Sequence, residues 1–210
     1  MKKRYSVWLL PLISLLVIPR MSAGTVDPQN PLKVIPAPKE IRIQSGSFRV
    51  KPNTRILIEF GHQDEDRIAA ETLAEEISDQ AGLTLNITGA KPDSKQEAKQ
   101  QHGSAIVLAR LQDRRVRKFL ASKGLKADSI GDQGYLLFSD ESHLIVAANT
   151  GQGLFYGVQT LRQLLHTEGQ GTLSCPAVLI RDWPTVERRG AKQDISRDLV
   201  SAKDFFPRRI

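Results

Sequence analysis

Four groups of residues have types and spacings that could do chemistry. Gly151, Gly153 and Gly157 follow the apolar run HLIVAAN and precede an apolar-periodic stretch, where a glycine turn could cradle a phosphate. Asp64-Glu65 and Asp140-Glu141 are paired acids of the kind that divide general acid and base roles. His62, His102, His143 and His166 could ligate a metal, and Cys175 could be a nucleophile.

Most of these groups have a simpler structural reading. A dinucleotide turn follows a strand parallel to its neighbours, near the start of its domain, with an acid about 20 residues on. Here the preceding strand is the second arm of a hairpin late in the chain, and Glu168 comes early, in the loop HTEGQG. The glycines read as a tight start to a helix capped by Asn149 or Thr150, with Gly157 letting that helix approach the sheet. The histidines are widely separated and no HExxH helix exists, so no metal site is expected. No Gly-x-Ser-x-Gly turn presents a nucleophile. Asp64-Glu65 suits a helix N-terminus and Asp140-Glu141 a hairpin tip; neither lies among the apolar residues that raise a carboxyl pKa. Cys175, in TLSCPAVLI, reads as a buried structural thiol. No catalytic residue, metal or cofactor is assigned within the chain.

The elements that would position these groups can be read from periodicity. Residues 1–24 have a basic start, the apolar run VWLLPLISLLVI and small residues before position 25: a signal peptide, implying export to the periplasm or beyond. No later stretch has the roughly 20 apolar residues of a membrane helix. Four of the seven excess positive charges lie in this leader and three in residues 181–210, so residues 25–180 are balanced and no nucleic-acid surface is expected. The run DRRVRKFL reads as a solvated helix with Val116, Phe119 and Leu120 inward.

An extended start, VIPAPKEIRI, leads into strands FRV and TRILIEF. A helix follows from Asp64 with Ala69, Leu73 and Ile77 on one face and Gly82 at its end. LTLNIT and SAIVLA are strands, GYLLFSDESHLIVAA is an antiparallel hairpin, and Leu154, Val158, Leu161 and Leu165 mark the buried face of the glycine-started helix. GTLSCPAVLIRDWP is the last strand. The fold class is α+β, a mixed sheet with helices packed on it, without regular βαβ alternation.

VIPAPKEIRIQSGSFRV, GYLLFSDESHLIVAANTGQGLFYGVQTLRQLL and IRDWPTVERRGAKQDISR together resemble the N-terminal region of bacterial β-N-acetylhexosaminidases, the family 20 glycoside hydrolases. The most specific parts are Gly153-x-x-x-Gly157-x-x-Thr160-Leu161-x-Gln163-Leu164 and Arg189-Gly190-x-x-x-Asp194-x-Ser196-Arg197. The resemblance implies a zincin-like accessory domain over residues 25–180, without metal. A junction and the truncated start of a (β/α)8 barrel would follow at 181–210. It implies that Arg189 binds hydroxyls of a terminal N-acetylhexosamine. Chemistry in this family is substrate-assisted and uses an Asp-Glu pair of a later barrel strand, which this chain does not reach. The family cleaves glycans; this chain would be inactive alone. Lys192, Gln193 and the stretch DLVSAKDFFPRRI depart from the family pattern. The rival readings are a stand-alone glycan-binding or scaffold module, and the accessory domain of an O-GlcNAcase-like or glucuronidase-like glycosidase.

Overall fold

A computed structural model describes residues 32–59, 62–90, 104–168, 172–186, 188 and 190. The expected signal peptide, His102, Arg189 and the stretch from 191 onward lie outside these residues.

In chain order the elements are β1 (Glu40–Arg49), β2 (Arg55–Glu59), α1 (Gln63–Ala81), β3 (Asn86–Ala90), β4 (Ala105–Arg110), α2 (Arg114–Ser122), β5 (Tyr135–Ser139), β6 (Leu144–Ala148), α3 (Gly151–Leu164), β7 (His166–Glu168) and β8 (Thr172–Asp182). The eight strands form one sheet in the order β1-β8-β5-β6-β4-β2-β3, with β7 paired to β8. The expected mixed α+β layering is present.

Strand parity divides the core between the two faces. On β5, Tyr135 and Leu137 join one cluster while Leu136 and Phe138 join the other; on β6, Leu144, Val146 and Ala148 alternate likewise with Ile145 and Ala147. The first cluster lies under α1 and α3, through Leu73, Ile77, Leu154, Val158 and Leu161. The second lies under α2 and the loop after it, through Leu120, Leu125 and Ile130. Because both faces are covered, β5 and β6 are buried along their whole length and read as unbroken apolar runs. In α2, Leu120 is buried and Val116 and Phe119 are half-buried against the same cluster, as their spacing predicts.

Three local expectations change. The segment EIRI is not a separate extended start. It is the first half of β1, which continues through a bulge between Ile43 and Ser47 where Gly46 has φ 98°. Residues 166–168, expected in a loop, pair with β8 as β7. The sheet is also less irregular than expected: β2/β3, β2/β4 and β4/β6 are all parallel, and β2-α1-β3 is a βαβ unit. The strand before the glycine turn, β6, is therefore antiparallel to β5 and parallel to β4.

Candidate functional site

With a parallel strand leading into it, the glycine turn has to be judged on its contacts. Thr150 is the N-cap: its Oγ1 accepts from Gly153 N–H at 3.2 Å and donates to the Asp132 carbonyl at 2.6 Å. A Cβ on Gly153 would sit 2.5 Å from the Gly134 carbonyl oxygen and 2.8 Å from that of Asp132. The glycine is there because backbone packs against backbone, and the nearby acceptors would repel a phosphate rather than cradle it.

Behind the turn lies a buried ion cluster that the sequence did not disclose. Arg110, at the end of β4, donates from Nη2 to Asp66 Oδ1 at 2.7 Å and from Nε to both Asp66 oxygens at 3.0 and 3.1 Å. Nη2 also reaches Glu65 at 2.7 Å, and Nη1 donates to the Asn149 carbonyl at 3.1 Å. Gly151 backs directly on this group, its virtual Cβ 3.3 Å from Arg110 Nη2 and from Asp66 Oδ1. Burial disfavours the Arg110 charge, but Asp66 and Glu65 outweigh it and hold the guanidinium above its ordinary pKa. Glu65 thus does more than favour the helix dipole, and Asp66 is wholly buried. An apolar run ending in Arg110 was the available signal. Nothing in its spacing named a partner 44 residues away.

Among the described residues the remaining candidates do not assemble a reactive centre. His166 Nε2 lies 3.2 Å from Ser174 Oγ and 3.2 Å from Glu168, while Nδ1 faces the Leu164 carbonyl at 3.1 Å. A Ser-His-acid relay needs serine and carboxylate on opposite ring nitrogens, and here both crowd one. Burial pushes the Cys175 thiol up to about 12, so it carries no nucleophilic thiolate. Asp140 caps the hairpin tip, accepting from the Ser142 and His143 N–H groups at 2.8 and 2.7 Å. Partial burial would raise its carboxyl, but those N–H groups and the His143 ring win and hold it below the ordinary range, the wrong direction for a general acid. Among the described residues no three His, Cys, Asp or Glu side chains gather as metal ligands.

A cleft of about 490 Å³ opens between α3, residues 35–39 and the end of β8. At its floor the Tyr135 hydroxyl lies 2.6 Å from Thr160 Oγ1 and donates to Asp182 Oδ2 at 3.2 Å. Burial and then the Asp182 charge push the phenol well above its ordinary pKa. Asp182 Oδ1 also accepts the Lys39 N–H at 3.2 Å, and Gln163 pairs with both main-chain groups of Ile35 at 2.8 and 2.9 Å. Trp183 packs against two cations, with Lys39 Nζ at 5.0 Å and Arg181 Cζ at 4.5 Å from its ring centroid. These contacts tie the place where β8 ends to the place where β1 begins. Tyr135, Thr160 and Asp182 come from three elements, which is why periodicity did not group them.

The sequence profile described as glycosyl hydrolase family 20, domain 2, matches residues 32–183. Among curated proteins, the chain is 28% identical over 181 residues to the beta-hexosaminidase of Porphyromonas gingivalis, covering 83% of this chain and 20% of that protein. It is 35% identical over 75 residues to a beta-N-acetylhexosaminidase of Cellulomonas fimi, covering 36% of this chain and 15% of the other. Among solved structures, the family 20 beta-N-acetylhexosaminidase of Streptomyces coelicolor A3(2) superposes with a TM-score of 0.58 at 28% identity, covering 82% of this chain and 31% of that one. A mutant Streptomyces plicatus beta-hexosaminidase gives 0.56 at 25% identity, covering 79% of this chain and 29% of the other. The chain spans a fifth or less of the curated relatives it matches.

Proposed function

Since the chain belongs to glycosyl hydrolase family 20, with its domain 2 in residues 32–183, we propose that it serves as the non-catalytic N-terminal domain of a β-N-acetylhexosaminidase. The family match over the whole described sheet carries this reading. The likeness to two beta-hexosaminidases of known structure supports it. In the whole enzyme the substrate is a glycan ending in N-acetylhexosamine, hydrolysed by the substrate-assisted route.

On this reading the sheet has the zincin-like topology without a metal of its own, and the chain passes from Trp183 into the first strand of a (β/α)8 barrel. The anchoring of Asp182 and Trp183 fits that role, since a fixed exit sets where the barrel starts. Arg189 on that strand would hydrogen-bond the terminal sugar. The protein is exported, its leader removed before Thr25.

The purified chain is expected to give no turnover of a chromogenic N-acetyl-β-glucosaminide above a buffer blank. The chemistry needs carboxyl groups placed around one sugar by a closed barrel. Turnover that Arg189→Ala abolishes overturns the assignment. Expression in a bacterium followed by N-terminal sequencing tests export; an intact Met1 in the soluble protein overturns that part.

A further inference from the structure

The near-neutral charge of residues 25–180 hides a strong segregation across the sheet. α1, on one face, carries seven acids and a single Arg67. On the other face, residues 113–126 carry six cations against one acid, Asp113. That acid is committed, capping α2 through the Arg115 N–H at 2.7 Å and pairing with the Arg115 side chain at 3.2 Å. Asp140, at the neighbouring hairpin tip, is held by Lys123 at 3.6 Å and by His143 at 3.0 Å.

What remains is a set of exposed cations whose side chains make no ion pair or hydrogen bond among the described residues: Arg114, Arg117, Lys118 and Lys126. Because Val116, Phe119 and Leu120 point inward, Arg114 and Lys118 stand one turn apart on the outer side of α2, with Arg117 beside them. Arg42, also exposed and unpaired, crosses from β1 to within 3.5 Å of where a Cβ would stand on Gly124. Cations spread over one face without ion pairs of their own repel one another, with Asp128 the next acid along the chain, and a bound polyanion relieves that repulsion.

We propose that the outer face of α2, with Arg42 and Lys126, is a docking surface for a polyanionic glycan, a chain bearing sulfate or uronate groups. The proposal rests on the glycan-processing role above, in which such a surface would hold the polymer whose end is cut. Arginine forks pair bidentately with sulfate and carboxylate. The exposed residues of α2 include no aromatic on which a base could stack and no large apolar side chain to enter a lipid layer. The chemistry of the surface therefore favours a glycan over nucleic acid or membrane.

Heparin and chondroitin sulfate immobilised on a sensor surface test this with the full chain, with neutral dextran as reference. Binding to both sulfated chains is expected, weakening by roughly a hundredfold between about 50 and 200 mM salt as about four counter-ions are released. The pair Arg114→Glu and Lys118→Glu, and separately Lys126→Glu outside the helix, should each weaken binding with the circular dichroism spectrum unchanged. Glu75→Lys with Asp79→Lys on α1 should not weaken it. No binding at low salt, equal binding by the α2 variants, or tighter binding to single-stranded DNA or anionic vesicles at matched salt overturns the proposal. Turnover plays no part in this readout, so failure of the enzymatic assignment and failure of the docking surface are told apart.

Discussion

The Arg110 guanidinium grips Asp66 through Nη2 at 2.7 Å and through Nε at 3.0 and 3.1 Å, joining the end of β4 to the first turn of α1. Only 4% of the Arg110 side chain and none of Asp66 is exposed, and the first residue of α3 rests against both. Arg110→Met should destabilise the domain by about 3–5 kcal/mol, because it leaves a carboxylate buried without its partner. Replacing both, with Asp66→Leu added, should recover much of that loss. Urea midpoints of the two variants check this; a single variant as stable as the parent would sink it.

Gly157 faces Val146 and the Tyr135 ring, and a Cβ there would lie 2.5 Å from Val146 Cγ1 and 3.1 Å from the ring. Val146 and Tyr135 are themselves buried, so neither can move aside cheaply. Gly157→Leu should cost about 1–3 kcal/mol or more from overpacking, and Gly157→Ala should already be measurable. An unchanged urea midpoint for the leucine variant contradicts the close approach.

Tyr135→Phe removes the hydroxyl that links Thr160 to Asp182. Asp182 keeps the Lys39 N–H and partial access to solvent, so the loss should be modest, about 0.5–1.5 kcal/mol. Thermal melting reads it, and a stabilised variant would show that the buried hydroxyl is a burden.

Asp140 and Asp113 both titrate below their ordinary range in the folded state: partial burial opposes this, and backbone N–H groups at their turns outweigh it. A depressed folded pKa gives stability that is present above the unfolded value of about 3.9 and lost as pH falls through the folded one. The difference in urea midpoint between the parent and Asp140→Asn should therefore be full near neutrality and shrink as pH drops below about 4. A difference constant from neutral to strongly acid pH would contradict this.

The melting temperature should be the same with zinc, EDTA or NAD added. A ligand that binds only the folded protein raises its stability. Around the glycine turn lie the Asp132 and Gly134 carbonyls and an Arg110 guanidinium already engaged by Asp66 and Glu65, and among the described residues no metal ligands gather. A rise of several degrees with any one of them overturns this reading.

Where neighbours along the chain carried the information, the sequence determined the structure. The period of Leu154, Val158 and Leu161, the Thr150 cap, Gly82 in the left-handed region at the end of α1 and the β5-β6 hairpin are all local patterns, and each stands where expected. The inward turn of Val116, Phe119 and Leu120 and the burial of Cys175 follow from the same rule. The family resemblance was also legible, because it is carried by short motifs. Tertiary structure alone decided the rest. The parallel pairing of β2, β3, β4 and β6 joins strands whose partners are chosen by packing of α1 and α3, not by a turn. Arg110 with Asp66, and Tyr135 with Asp182, are pairs 44 and 47 residues apart. The opposite charges of α1 and α2 became two separate surfaces only when the sheet came between them. A side chain's pattern reports which way it faces, but what it meets there is fixed by distant segments brought together as the core is buried.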